Sequence, residues 1–90
     1  MTFDDALFNW LQIELVANAR LDDRAAADTR DFFVQVLTED HGVSGLHIAK
    51  TDETMVHVKF ERNGSTKLQM YPLEAAEQLL ADIRSNPKYN

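Results

Sequence analysis

The chain has 90 residues, 44% of them hydrophobic, no cysteine and a formal net charge of −6 at pH 7. This length is that of one domain, and the hydrophobic fraction is ordinary for a globular protein and argues against disorder. The composition excludes disulfide and thiolate chemistry, contains no apolar run that could span a bilayer, and argues against direct nucleic-acid binding, which needs a basic patch. The first six residues carry two aspartates and no lysine or arginine, so we expect no signal peptide and a cytoplasmic protein.

The negative charge is concentrated in the first half of the chain. Residues 1–45 hold nine carboxylates and three arginines (3 − 9 = −6), whereas residues 46–90 hold six acids and six bases. This excess either keeps the protein in solution or forms an acidic surface for a basic protein partner. If it forms such a surface, Asp28 and Asp31 are the residues that we expect to contact the partner.

The first predicted helix begins at a capping-box sequence with Thr2 as N-cap and extends to about Ala19. Its apolar side chains cover well over half of the helix circumference, which is more than a single contact requires. One band comprises Phe3, Ala6, Leu7, Trp10, Ile13 and Ala17, and the adjacent band comprises Phe8, Leu11, Leu15 and Ala19. Either the helix is clasped between other elements, or its second band contacts another chain. We expect Phe8, Leu11 and Leu15 to form the surface of a homodimer.

A second helix is predicted after a short break, with Asp22 or Asp23 as its N-cap and Gly42 as its left-handed C-terminal residue. The short connection predicts an antiparallel helical hairpin. Asp28 and Asp31 fall on the polar side of this helix. Its apolar stripe comprises Ala25, Ala26, Thr29, Phe32, Phe33, Val36 and Leu37.

The hydrophobic period then changes from 3.6 to 2, which predicts three half-buried antiparallel strands. Asn-Gly at 63–64 is typical of a two-residue type I′ hairpin, but that register sets Phe60 opposite Lys67 and mixes the two faces. A three-residue loop, Arg62-Asn63-Gly64, with a G1 bulge at Gly64 instead sets Val58 opposite Leu68 and Val56 opposite Met70, on the apolar face. We therefore predict the bulged loop.

A closing helix is predicted from Pro72, which suits a first helical turn, to Pro87, with residues 88–90 as a flexible C-terminal tail. The resulting fold class is α+β in the order ααβββα. We expect a three-stranded antiparallel meander with the helices packed on one face, in a single domain that spans residues 1–87.

The most specific candidate for a ligand site is a pair of histidines. If Ile48 pairs with Val56, His47 lies opposite His57 on the polar sheet face, where two imidazoles suit zinc or nickel. Gln69 and Tyr71 are predicted on the same face. A metal needs a third or fourth ligand that the spacing does not supply, so two exposed histidines without a shared role are the more frequent outcome.

No arrangement of residues predicts catalysis. Glu14 projects into the apolar arc of the first helix and could act as an acid or base, but such residues more often reach water or a neighbour such as Arg20. No serine has a nucleophile context and the three glycines are not grouped. We therefore predict a non-enzymatic protein-interaction or regulatory module without a cofactor. The alternative is a small-ligand or metal-binding domain that uses the polar sheet face.

Overall fold

A computed structural model describes residues 1–86, which form four helices and one three-stranded antiparallel sheet. The elements are α1 (Phe3–Ala19), α2 (Arg24–His41), β1 (Val43–Thr51), β2 (Met55–Arg62), β3 (Ser65–Pro72), α3 (Leu73–Ala76) and α4 (Gln78–Ser85). The α+β meander is confirmed. The closing helix, predicted as one, is two short helices that meet at Glu77. The predicted stop at Pro87 and the tail at 88–90 lie outside the described residues.

The two long helices are bounded by the capping residues that the sequence predicts. The Thr2 hydroxyl accepts a hydrogen bond from the amide of Asp5 at 3.1 Å. The Asp23 carboxylate accepts one from the amide of Ala26 at 3.0 Å. Gly42 ends α2 in the left-handed region with φ +66°, where a side chain would be strained. These caps satisfy backbone groups that the helix ends leave without intrahelical partners.

Helix α1 is the central element of the core. It packs against α2, α3 and α4, and its side chains share a cluster with the apolar side chains of β1 and β2. Its buried residues are Ala6, Leu7, Trp10, Leu11, Ile13, Val16 and Ala17. The wide apolar surface of α1 is thus covered within the chain, as expected of a clasped helix.

The first hairpin of the sheet has a different register from the predicted one. Strand β2 lies in the centre, between β1 and β3. Ile48 pairs with Val58 rather than Val56, and His47 pairs with Lys59 rather than His57, so the predicted pairing is wrong. The register of β1 shifts twice, between Ser44 and His47 and between Ile48 and Lys50. Each shift adds a residue to one strand only, as a β-bulge does, and this pattern could not be read from alternation.

The second hairpin has a two-residue turn, so the predicted bulged loop is wrong. Asn63 and Gly64 both have positive φ, +55° and +77°, as a type I′ turn requires. Val58 consequently pairs with Gln69, and Phe60 with Lys67. The physical reason is that residues 65–70 of β3 are all exposed. Since no helix within residues 1–86 covers positions 65–70, burial does not favour either register there and the turn chemistry determines it.

The two-residue turn also fixes which backbone groups of β3 bond to β2. Residues that flank such a turn form a hydrogen-bonded pair, and bonded and non-bonded pairs then alternate along the hairpin. Lys67, Gln69 and Tyr71 therefore bond to β2. The N–H and C=O groups of Thr66 and Leu68, and those of Met70, point away from β2 toward the free edge.

Arg62 holds the turn end of this hairpin against α1 and α2. Its guanidinium donates a hydrogen bond to the His41 carbonyl at 2.9 Å and lies 4.2 Å from the centre of the Phe3 ring. The side chains of Val56, Val58 and Phe60 on β2 are at most 4% exposed. The sheet is therefore well anchored at its centre, and residues 65–70 of β3 extend beyond the helices, whereas Tyr71 packs against the core.

None of the helices within residues 1–86 has the length and apolarity needed to cross a membrane.

Candidate interaction surface

Strand β3 carries two apolar side chains that the fold leaves uncovered. Leu68 is 57% exposed and Met70 is 46% exposed. They lie two residues apart, so both point to the same face of the sheet, away from the helices. Their backbone N–H and C=O groups are also the ones that point to the free edge. No strand within residues 1–86 pairs with this edge. An apolar row and a row of unpaired peptide groups thus coincide there on one strand.

The cross-strand neighbours of these two residues are basic. Lys59 of β2 lies opposite Leu68, and His57 lies opposite Met70. Lys50 of β1 lies opposite His57 on the same face. The outer sheet face is therefore a small apolar strip on β3 beside a band of cationic and imidazole side chains on β1 and β2.

His57 has a structural partner at the β1–β2 connection. Its Nε2 atom lies 2.9 Å from Oδ2 of Asp52. The other oxygen of Asp52 accepts hydrogen bonds from the amides of Thr54 and Met55, at 2.9 and 2.8 Å. The contact with His57, followed by those with the two amides, holds the pKa of Asp52 well below its ordinary value of 3.8. The pair closes the tight connection between the strands.

The two edges of the sheet differ in regularity. Strand β1 contains both irregularities of register, and Gly45, at the first of them, has a positive φ of +62°. The ring of His47 turns back there, with Nδ1 2.7 Å from the Gly45 carbonyl oxygen. Strand β3 pairs with β2 in unbroken register over all eight residues. Bulges disfavour pairing with another chain, whereas a regular free strand is a template for it.

Charge is also polarised along β3. Lys67, near the turn, is the only charged residue of the strand. At the other end, a recess beside Pro72 is lined by three glutamates, Glu53, Glu74 and Glu77. Asp4 also lies at this end, where burial of Tyr71, and secondarily the negative charge of Asp4, raises the pKa of Tyr71. The strand's own charge is therefore basic near the turn, where Arg62 and Glu61 of β2 offset each other, and its other end lies beside acidic residues.

The predicted dimer surface on α1 is largely covered by the chain itself. Leu11 is fully buried in the main cluster, and Leu15 is partly buried and packs against it. The Phe8 ring contacts the Tyr71 ring at a centroid distance of 5.5 Å. Burial, and secondarily the charge of Asp4, raises the pKa of Tyr71 to about 12. The second apolar band of α1 is thus accounted for without a partner chain.

The acidic residues predicted to meet a basic partner are exposed on α2, as expected. Asp28 and Asp31 both face solvent. Asp31 forms an ion pair with its neighbour Arg30 at 3.3 Å, and Arg30 also lies 3.7 Å from Glu14. Glu14 is therefore the partner of an arginine on α2, not of Arg20, and this pairing accounts for its position at the edge of the apolar arc.

The predicted ligand face is divided between the two sides of the sheet. His47 and His57 lie on the outer face, because their partners Lys59 and Lys50 are both exposed there. Gln69 pairs with the buried Val58 and therefore lies on the inner face, as does Tyr71. The face predicted to unite these four residues is wrong because it depended on the bulged turn. Within residues 1–86, no group of three histidine, aspartate or glutamate side chains could hold a metal.

Sequence reasoning assigned Leu68 and Met70 to the core and so missed them as surface residues. The signal that identifies them is the Asn63-Gly64 dipeptide, whose ordinary turn type places both residues on the outer face.

The role of Asp52 at the β1–β2 connection was also missed by the sequence reasoning. Its signal is the Asp-x-Thr spacing, which allows a carboxylate to accept from the amide two residues later.

Comparison of the chain with protein-family models, with curated proteins and with solved structures gave no match in any of the three.

Proposed function

We propose that this protein is a non-enzymatic, cytoplasmic protein-interaction module that self-associates through the free edge and outer face of β3. The observation that carries the proposal is the regular edge strand whose outward peptide groups and exposed apolar side chains belong to the same residues, chiefly Leu68 and Met70. Strand addition to such an edge uses main-chain hydrogen bonds for affinity and alternate side chains for specificity.

The exposure of these side chains supports an interaction function. Leaving about half of a leucine and half of a methionine in water forgoes part of the roughly 1.5–3 kcal/mol that full burial of each contributes. A second chain that covers β3 recovers part of this free energy and pairs the free peptide groups at the same time. The strand has eight residues, so the contact area is modest and the association belongs to the reversible class.

The structure favours β3 over the two surfaces predicted from the sequence. On α1, Leu11 is fully buried, so a partner cannot reach the centre of the predicted band without opening the core. On the sheet, Gln69 and Tyr71 lie on the side opposite the histidines. A ligand site at His47 and His57 then has two imidazoles, one of them already bonded to Asp52.

Sedimentation velocity over a concentration series into the high micromolar range tests the proposal. We expect reversible self-association of the natural sequence. Leu68→Lys is expected to raise the dissociation constant at least about tenfold, since it removes an apolar contact and adds a charge. Leu21→Lys is the matched control, because Leu21 is 89% exposed in the α1–α2 connection. It should leave the association unchanged.

Two results contradict the proposal. One is a monomer at every concentration. The other is self-association that Leu68→Lys and Leu21→Lys reduce to the same extent, since the association then has no specific dependence on β3. Because both leucines are exposed, neither variant is expected to unfold the protein, and circular dichroism checks this directly.

A further inference from the structure

We infer that the chain covering β3 is a second copy of this protein, with the two β3 strands antiparallel about a two-fold axis at Leu68, so that two sheets join into one of six strands. The inference rests on the proposed function and adds its geometry. It is carried by three features of the strand: its free peptide groups, the order of its side chains and its polarised charge.

The free peptide groups occur at alternate residues of β3. In this register, each residue with free groups lies opposite a residue of the partner that also has free groups. About a two-fold axis at Leu68, that residue pairs with the partner's Leu68, and Thr66 pairs with the partner's Met70. All of these residues have N–H and C=O groups that point away from β2. The three pairs exchange about six backbone hydrogen bonds. If the register were shifted by one residue, the outward-pointing peptide groups of one copy would face partner residues whose peptide groups are already bonded to β2.

The side chains in this register form a continuous apolar strip across the junction. The two copies of Leu68 are directly opposite on the outer face, and each Met70 lies diagonally beside the partner's Leu68. On the inner face Lys67 lies opposite the partner's Gln69. No like charges oppose one another, since Lys67 is the only charged residue of the strand.

Charge complementarity favours the antiparallel arrangement of two copies. The turn end of β3 carries Lys67, and the neighbouring Arg62 and Glu61 of β2 offset each other there. The other end lies beside the acidic recess lined by Glu53, Glu74 and Glu77. Asp4 adds to this negative charge beside Tyr71. An antiparallel pair places each basic end near the partner's acidic end, whereas a parallel pair places like ends together.

The two-fold arrangement uses both β3 edges, so it leaves none to which a third chain could add and does not lead to a fibre. Pro72, which has no N–H, falls opposite the partner's turn and ends the ladder of hydrogen bonds. The free edges of the six-stranded sheet are then the two β1 strands, each interrupted by two shifts of register. Bulged edges of this kind resist further strand addition, so the assembly stops at two chains.

Disulfide trapping tests the register, because the chain has no cysteine of its own. The Cα atoms of a hydrogen-bonded antiparallel pair are about 5.5 Å apart, within the range of a disulfide. Under mild oxidation, Leu68→Cys is expected to form a covalent dimer quickly. Thr66→Cys alone and Met70→Cys alone should not, since their identical residues are separated by roughly 13 Å, four residues of rise. A mixture of these two variants should form the heterodimer.

The controls separate failure of the inference from failure of the proposed function. Leu21→Cys, on a leucine that is more exposed than Leu68, sets the rate of random collision. If the natural chain self-associates but Leu68→Cys is trapped no faster than Leu21→Cys, the β3 pairing is overturned while self-association stands. Preferential trapping between Leu68→Cys and Met70→Cys overturns the axis at Leu68. A monomer in sedimentation removes both the inference and the proposed function.

Discussion

Strands β1 and β3 are the two edges of the same sheet, yet only one of them is suited to accept another strand. β1 contains two bulge-like irregularities and a positive φ at Gly45. β3 is regular over eight residues and exposes Leu68 and Met70. Irregular edges are a common means of preventing association. The proposed association therefore uses β3, because the irregular edge of β1 disfavours the addition of another strand.

The contrast between β3 and its other neighbour, β2, explains how the open edge arises. Val58 and Phe60 of β2 are covered by the helices and are at most 4% exposed. Their partners on β3, Gln69 and Lys67, extend past the helices and remain exposed. Without a cover, neither face of β3 is a core face over residues 65–70. Its register then follows the type I′ turn, which leaves the apolar residues on the outer side.

The largest expected effect is a difference in the free energy of unfolding between two leucine-to-alanine variants, one in the buried core and one on the exposed strand β3. Leu11→Ala removes a fully buried side chain and should lower the free energy of unfolding by about 2–5 kcal/mol. Leu68→Ala removes an exposed one and should change it by no more than about 0.5 kcal/mol. Urea denaturation at a concentration where the protein is monomeric measures both. Similar losses for the two variants would mean that β3 is covered within the chain.

The turn that sets the register provides the next prediction. Gly64 has φ +77°, so Gly64→Ala should lower the free energy of unfolding by about 1–2 kcal/mol. Ser65→Ala, just outside the turn, should change it by less than about 0.5 kcal/mol. Urea denaturation compares them. If Gly64→Ala has no effect, the residue is not held in the left-handed region and the type I′ register is wrong.

A smaller, pH-dependent effect is expected at the β1–β2 connection. Because the folded pKa of Asp52 lies below its ordinary value of 3.8, its carboxylate stabilises the fold above about pH 4. That contribution is lost as the pH falls. Asp52→Asn should therefore reduce stability at pH 7 more than at pH 3. Urea denaturation at the two pH values checks this, with Asp28→Asn to control for the loss of one negative charge. An equal loss at both values contradicts the role assigned to the Asp52–His57 pair.

The smallest effect is expected on the acidic face of α2. Double charge reversal at Asp28 and Asp31 should leave the dissociation constant of self-association within about twofold, since surface charges far from an interface are screened at physiological salt. Sedimentation velocity measures it. A large change in this dissociation constant would mean that α2 lies in the interface. Salt-sensitive binding of a basic protein that this double variant abolishes would instead support the separate prediction of a basic partner.

The ends of the two long helices could be predicted closely from the sequence, whereas Phe32, on the predicted apolar stripe of α2, is 53% exposed. The ends of α1 and α2 depend on local chemistry, the Thr2 and Asp23 caps and Gly42, and all three act as predicted. The alternation of residues also located the strands. These features are readable because each depends on residues only a few positions apart.

The surface depends on information that is not local. Whether Leu68 is core or surface depends on how far the helices extend over the sheet, and no pattern within β3 records that distance. The bulges of β1 are likewise invisible to alternation. The wide apolar surface of α1 was read correctly, but whether the chain or a partner covers it depends on tertiary packing.

Amide hydrogen exchange along β3, followed residue by residue as a function of protein concentration, tests the central claim most directly. In dilute protein we predict alternating protection: slow exchange at Lys67, Gln69 and Tyr71, which bond to β2, and fast exchange at Leu68 and Met70. At concentrations where the protein self-associates, the amides of Leu68 and Met70 should become protected too. Fast exchange at these two amides in the associated protein would contradict pairing through β3.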